Sequence, residues 1–173
     1  DREAREAPGV SRLYTEQRRG FPVRAGFESR LGQLALGYRW EEIRLFDVSP
    51  GLAAQAGAAS VEPVRVAAVG GESFYDSLNR FPFPDRGARR RVKVELAGPA
   101  LGSDVRFASL IFDWLWVHSF AVRHTVSIGV GLGFSMGDVP FAELPRLGGV
   151  DSIVGYFDGE LFARNTQRVN LSY

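Results

Sequence analysis

The clearest pattern in the sequence is the alternation of large apolar residues with small or polar residues between positions 121 and 136. One set of alternate positions carries seven large apolar side chains out of eight, and the other set is rich in glycine and serine. A period of two places these sets on opposite faces of a β-strand. The segment is also much longer than the roughly 5–6 residues of a strand in a typical globular protein.

The same alternation predicts strands over 21–32, 33–47 and 88–98. The segment 104–118 is apolar on both faces near its middle, and we assign Leu110, Phe112, Trp114 and Trp116 to its outward face. Weaker patterns predict further strands over 11–18, 61–75 and 161–173. The total is about eight strands, with the alanine-rich segment 52–59 as the only candidate helix.

The connections between these strands alternate in length. Short turns are predicted at Leu31–Gln33 and His118–Ala121, and longer connections at 47–61, 98–103 and 137–160. The segment 76–87 is the exception, because it is a longer connection at the short-turn end. Long loops at one end and short turns at the other are typical of transmembrane β-barrels.

The strand pattern fits a membrane barrel better than a soluble β-sandwich or a lipocalin-like barrel. Several strands reach the ten or so residues that a tilted strand needs to cross a bilayer. The less apolar face mixes glycine and serine with arginine, glutamate and lysine, as expected of a wet lumen. Aromatic residues cluster near strand ends, where interfacial girdles lie. We therefore predict an all-β fold, an antiparallel transmembrane β-barrel.

Composition narrows the function without selecting it. The 173 residues suggest one domain, and a net charge of +1 gives no general attraction for nucleic acid. The sequence has no cysteine, which excludes disulfides and thiolate metal sites. No apolar run reaches the roughly 18 residues of a transmembrane helix. We expect no cofactor, no metal and no nucleic-acid partner.

One motif mimics a catalytic site. Residues 133–137, "GFSMG", match the nucleophile-elbow pattern around Ser135. That pattern needs a helix after the serine, whereas Asp138, Val139 and Pro140 follow here. Both histidines, His118 and His124, precede the serine, although this class of enzyme places its histidine afterwards. We predict that the chain is not an enzyme, and an esterase is kept only as a hypothesis for testing.

Two further motifs carry a family resemblance. The run from Phe134 to Asn165 resembles the bacterial surface-antigen family, within the outer-membrane assembly-factor superfamily of BamA and TamA type. The residues that match as they stand are Pro140, Phe141, Leu147, Gly148, Gly149, Gly155 and Tyr156. A second family element lies between two strands, and is implied to be a periplasmic turn. Its matching residues are Tyr75, Asp76, Phe83, Pro84 and Gly87.

The resemblance implies a location and a function. It implies a barrel of sixteen strands in the bacterial outer membrane, of which these strands would be the fifth to the twelfth. We therefore expect residues 1–173 to be a single barrel region that lacks the first and last strands. The implied function is insertion or assembly of outer-membrane proteins, or secretion of an attached passenger. The implied partners are membrane lipid or lipopolysaccharide, and unfolded outer-membrane proteins or a fused passenger domain. The alternative is an outer-membrane pore or anchor without a protein client.

The sequence departs from the family at one position of the loop motif. Val154 stands where the family carries an arginine that docks on an acidic residue of the inner wall. A valine cannot make that charge-assisted bond. The patatin-type branch joins a lipase passenger to such a barrel, and it too typically lacks the arginine at this position. The sequence also resembles that branch in the residues that follow, which are Gly155, Tyr156, Gly159, Glu160, Leu161 and Asn165.

These features predict that the surface loop 137–160 folds back into the barrel. Glycines in the loop allow tight turns, and small residues on one strand face leave room for it. Tyr156 and Phe157 would be its packing anchors, with Asp151, Asp158 and Glu160 available to arginines. The alternative is a loose surface loop. The predicted loop motif is Leu147, Gly148, Gly149, Val154, Gly155 and Tyr156; the predicted wall is Ser127, Gly129, Gly131, Gly133 and Ser135.

Overall fold

The computed structural model describes residues 15–30, 32–46, 62–121, 124–149, 152–153, 155–156 and 159–173, and in these residues the fold is all-β. Seven strands of eight to fifteen residues form one sheet, and two strands of two residues form a separate hairpin. In chain order they are β1 Thr15–Ser29, β2 Gly32–Phe46, β3 Val64–Asp76, β4 Arg86–Ala97, β5 Phe107–Ala121, β6 His124–Gly137, β7 Arg146–Leu147, β8 Leu161–Phe162 and β9 Asn165–Ser172. Short 3-10 helices occupy Pro99–Leu101 and Phe141–Glu143.

The large sheet is antiparallel throughout, in the order β1-β2-β3-β4-β5-β6-β9. Among the described residues β1 and β9 are its two edges, so the sheet is open there. Pro22 lies within β1. Proline has no backbone N–H to donate, and an edge strand tolerates it because one side of the strand needs no sheet partner. Within the same residues, no helix is long and apolar enough to cross a membrane.

The register carries the alternation seen in single strands across the whole sheet. Residues directly opposite one another across a ladder share a face. One such row consists of Leu36, Gly71, Val94, Leu110 and Phe134. The four large side chains of this row are all exposed. We call this side the outer face, and it carries the residues that the sequence assigned to the apolar side.

The opposite side, the inner face, holds the buried residues. At its polar middle lie Arg39 and Glu95, both buried. Towards the end from which the long loops leave, the inner face becomes apolar and forms a small core. The buried members of this core are Ile43, Val66, Ala68, Ala97, Phe107 and Ala142, with Val64, Val105 and Val139 packed against them. Apart from Ala142 and Val139, these residues belong to β2–β5 or the connection before β5.

Three strand predictions need correction. The segments 11–18 and 21–32 were predicted as two strands, but β1 is continuous from Thr15, so the sheet has seven long strands. The turn predicted at His118–Ala121 is instead part of β5, which extends to Ala121 with a register shift after Ser119. The last predicted strand, 161–173, is divided between β8 and β9. The candidate helix at 52–59 lies outside the described residues.

Candidate functional site

The loop after β6 packs on the inner face of the sheet. Ala142 belongs to the inner-face core, and Val139 packs against it. Phe141 is only 2% exposed. Its ring meets that of Phe162 edge-on, with centroids 4.7 Å apart, and the guanidinium carbon of Arg146 lies 5.1 Å from its centroid. The loop therefore begins with an apolar contact to the sheet and to its own returning end.

The next part of the loop returns to β6 at Gly133. A Cβ built on Gly133 would lie 2.6 Å from the Cβ of Pro145 and 2.5 Å from Oγ1 of Thr166. Real Cβ atoms do not approach others so closely, so the absent side chain is what lets Pro145 reach the strand. Immediately after Pro145, β7 pairs with β8, and Pro145 accepts a backbone hydrogen bond from Ala163 (3.2 Å).

The other predicted wall residues also lie on the inner face, but at Gly129 and Gly131 the nearest side chains belong to β9 and not to the loop. Gly129, Gly131 and Ser135 are buried, and Ser127 is half-buried. The atoms nearest to a Cβ at Gly131 are those of the Arg168 guanidinium, at 3.1–3.2 Å. At Gly129 the nearest atom is the Cβ of Asn170, at 3.7 Å. Side chains of β9 therefore cover the wall at these two positions.

A small, partly open cavity of about 80 Å³ lies between the loop and this wall, beside the contact of Pro145 with Gly133. Its lining includes Gly131 and Gly133 from β6, Pro145 and Leu147 from the loop, and Arg168 from β9. Leu147 of the predicted loop motif is thus placed opposite two of the predicted wall glycines.

The glycines of the loop motif shape a compact turn. Gly148, Gly149 and Gly155 have φ of +131°, +90° and +98°, in the region that favours glycine. The N–H of Gly149 donates to the carbonyl of Tyr156 (3.0 Å), which closes the turn. Asn170 of β9 donates from Nδ2 to the carbonyl of Ser152 (2.8 Å). This last bond ties the turn to the strand that covers Gly129.

A cluster of charged side chains joins the loop to β1 and β2. Glu143, at the end of the 3-10 helix, accepts hydrogen bonds from Arg39 at both oxygens, with Nη2–Oε2 at 2.5 Å and Nη1–Oε1 at 3.2 Å. Arg18 donates from Nη1 to Glu143 (2.8 Å) and from Nη2 to the carbonyl of Ala142 (3.2 Å). The side chains of Glu143 and Arg39 are 8% and 9% exposed. The Arg39–Glu143 pair is therefore largely shielded from water, so salt screens it less than it screens surface pairs.

The ionisation of Glu143 reflects two opposing effects. Burial favours the neutral carboxyl and would raise the pKa. The hydrogen bonds and positive charges of Arg39 and Arg18 favour the carboxylate, and they hold the pKa of Glu143 below its ordinary value of 4.5. Glu143 is therefore ionised at neutral pH.

The sequence did not identify the residues that make most of these contacts. Phe141 was recognised only as a motif match, and Glu143 and Pro145 were not assigned a role. Tyr156, the expected anchor, is 46% exposed, and its approach to β6 stays a prediction. Val154, Phe157, Asp151 and Asp158 lie outside the described residues. The signal that could have found Glu143 is a carboxylate within the otherwise apolar run 139–144, opposite a strand face rich in arginine.

The predicted turn motif shapes the connection between β3 and β4, at the other end of the strands. The Asp76 carboxylate accepts a hydrogen bond from the N–H of Leu78 (2.9 Å). Gly87 has a φ of +119°, and a Cβ there would collide with the backbone of Ser77. Phe83 is 79% exposed and Pro84 is half-buried. The aspartate and glycine thus have local roles in the turn.

Ser135 has no catalytic surroundings among the described residues. It is buried, and its hydroxyl donates to the carbonyl of Arg164 (3.0 Å). His124 begins the same strand eleven residues earlier, which corresponds to about 36 Å along an extended chain. His124 contacts Tyr173 and stacks on Phe120, at the turn end of the sheet. A general base must be within hydrogen-bond reach of the serine, and this histidine is not.

Comparison with known proteins identifies the family and a similar fold. Residues 2–170 match the family described as the Omp85 superfamily domain. The chain is similar to the crystal structure of BamA from Haemophilus ducreyi lacking POTRA domains 1–3, with a TM-score of 0.69 and 20% sequence identity. The similarity covers 84% of this chain and 31% of that chain, so this chain spans about a third of that structure's length. No curated protein sequence matches the chain.

Proposed function

Because this chain belongs to the Omp85 superfamily and forms part of a β-barrel in the bacterial outer membrane, we propose that it takes part in the insertion and assembly of other outer-membrane proteins. Its clients would be unfolded barrel proteins that arrive from the periplasm. The barrels of the superfamily are non-enzymatic, and this barrel region is not an enzyme. The work is therefore done by the shape and exposed surfaces of the barrel.

The packing of the loop on the inner face is the observation that best supports this proposal. The loop contacts the sheet through Ala142, Pro145 and Ser152, and Glu143 adds an ionic contact. A plain anchor has no need of such a loop, whereas an assembly barrel needs its strands held in register while a client strand pairs at an edge. A strand edge offers unpaired N–H and C=O groups to an incoming chain.

We also propose that the outer face contacts membrane lipid or lipopolysaccharide. The exposed row that contains Leu36, Val94 and Leu110 continues across the sheet, and Val169 and Leu171 extend the apolar face to β9. Exposed apolar rows of this extent are costly in water and favourable in hydrocarbon.

A reconstitution experiment tests the assembly proposal. The intact protein is inserted into liposomes, a urea-unfolded outer-membrane barrel protein is added, and folding is followed by heat-modifiable migration in cold gels. We expect faster folding than in liposomes that carry an equal amount of a porin. Equal rates in the two preparations would contradict the proposal. A steady conductance without faster folding would favour the alternative, a pore or an anchor.

Secretion of an attached passenger is the second candidate function. It is favoured by Val154, which stands in place of the arginine of the assembly factors that the chain resembles, as in the patatin-type branch. The test is to express the protein with its complete reading frame and to assay for a passenger domain at the cell surface by protease shaving. A reading frame without a passenger would exclude this candidate.

A further inference from the structure

We infer that Glu143 is the residue that docks the loop on the inner face, through a latch made with Arg18 and Arg39. The latch is defined as these three side chains. The inference deepens the proposed function, since it names the positioning residue of the loop on which that function relies. It concerns the binding of one segment of the chain to another and involves no ligand.

The geometry of the latch has the features of a specific contact. Arg39 presents two nitrogens to the two oxygens of Glu143, which is the bidentate arrangement that gives the strongest charge-assisted pairs. Arg18 adds a bond to the same carboxylate and another to the Ala142 carbonyl. Three nitrogens of two arginines thus bind a single loop carboxylate. Loop position 154 carries valine, whose side chain has no charge to contribute.

The latch also joins distant parts of the sheet. The loop leaves β6, whereas Arg18 and Arg39 belong to β1 and β2. Four ladders separate β2 from β6, which is about 19 Å measured along a sheet with strands roughly 4.8 Å apart. Between these points Ala142 packs on residues of β2–β5. The loop therefore spans most of the sheet, with Glu143 at its far end.

Acidic residues of the strands beside Arg18 and Arg39 make this docking reversible. Without the loop, Arg39 still has Glu95 (Nε–Oε1 3.0 Å) and Glu41 (Nη1–Oε2 3.0 Å). Arg18 likewise keeps Glu41 (3.2 Å) and its neighbour Glu16. When the loop leaves, Glu143 is hydrated and neither arginine is left without a carboxylate. A buried charge without a partner would be the main cost of opening, and this arrangement avoids it.

The test measures the exposure of the loop directly. The sequence has no cysteine, so Ala142→Cys, at a position that is 9% exposed, provides a reporter of docking. Its labelling by a maleimide is timed in the intact protein in outer-membrane vesicles. We expect Glu143→Gln to accelerate labelling about tenfold, because it replaces charge-assisted bonds with weaker neutral ones. Asp138→Asn is the matched control, since Asp138 lies at the exposed start of the loop and should leave the rate unchanged.

A double-mutant cycle links the effect to the pair. Arg18→Gln should also accelerate labelling, and the double variant with Glu143→Gln should be faster by much less than the product of the single effects. Heat-modifiable migration checks that each barrel is folded. If the Glu143→Gln protein does not fold, the labelling rate of the Arg18→Gln protein tests the latch instead, because the Arg18 side chain is partly exposed and its replacement disturbs the fold less.

The outcomes separate this inference from the assembly proposal. Wild-type labelling rates in Glu143→Gln and Arg18→Gln, equal acceleration by Asp138→Asn, or purely multiplicative effects would overturn the latch. Faster labelling in a protein that does not accelerate client folding would support the latch and count against the assembly function. Labelling needs no client, so the two results are independent.

Discussion

Replacing Gly133 with alanine tests whether the loop needs the missing side chain of the wall. The new Cβ would be 2.6 Å from the Cβ of Pro145 and 2.5 Å from the Thr166 hydroxyl. The hydroxyl can rotate away, but the proline ring must shift by about 1 Å to reach the 3.5–4.0 Å of favourable carbon contacts. Overpacking of this kind typically costs about 1–3 kcal/mol. We expect Gly133→Ala to lower the free energy of loop docking by that amount.

Gly131→Ala on the same strand face is the control. Its Cβ would meet the guanidinium of Arg168 at 3.1–3.2 Å, and this flexible group can give way. We expect a change below about 0.5 kcal/mol, because a movement of a few tenths of an ångström by that side chain relieves the contact. The assay is the labelling rate of the Ala142→Cys reporter in each background. Equal rates in the Gly133→Ala and Gly131→Ala proteins would refute the idea that loop contact at Gly133 depends on its missing side chain.

Three further predictions concern the membrane, the serine and pH. Val130→Arg on the outer face should destabilise the barrel in lipid by about 2–4 kcal/mol, measured by denaturant unfolding, whereas Ser127→Asn on the inner face should have only a small effect on stability. Equal costs would contradict the assignment of faces. Ser135→Ala should not change ester hydrolysis, and labelling of Ser135 by a fluorophosphonate probe would show this to be wrong. Because the pKa of Glu143 is lowered in the folded protein, docking should be complete above its ordinary value of 4.5 and should be lost only as pH falls below it. The acid-tolerant thiol reagent 4,4′-dithiodipyridine can follow this loss on the Ala142→Cys reporter. Glu41 and Glu95 bind the same arginine as Glu143, so the Glu143→Gln protein serves as the comparison. An identical pH profile in that variant would contradict the role of Glu143.

The faces of the long strands could be predicted from the sequence because their alternation is a local property. In β6 the apolar positions Ile128, Val130 and Leu132 alternate with buried glycines on the inner face. Antiparallel pairing then extends each face to the neighbouring strand. One strand with a clear alternation therefore indicates which face each residue of its neighbours lies on. Strand ends were less predictable. The sequence pattern left residues 19–20 between two predicted strands, whereas β1 runs through them without a break.

The contacts of the loop could not be predicted in the same way because they are tertiary. Glu143 is one of several acidic residues in the loop, and its partners are more than a hundred positions earlier in the chain, on β1 and β2. Ile43 and Phe107 lie on the face that alternation marks as polar, and they are buried because the loop covers that end of the sheet. No local period reveals which part of a face a distant loop will cover. For the same reason, the sequence could not show that Phe141 is a buried contact of the loop, and Tyr156 was predicted as the anchor instead.

A cross-link between the loop and the wall tests the central structural claim, that this loop lies on the inner face of the barrel. Pro145 and Thr166 both lie within 2.6 Å of the place where a Cβ at Gly133 would be. In the intact protein in outer membranes, the pair Pro145→Cys and Thr166→Cys should form a disulfide under mild oxidation. The pair Pro145→Cys and Leu171→Cys should not, because Leu171 is on the outer face of the same strand β9. Free thiols at both 145 and 166, each open to maleimide, would contradict the account.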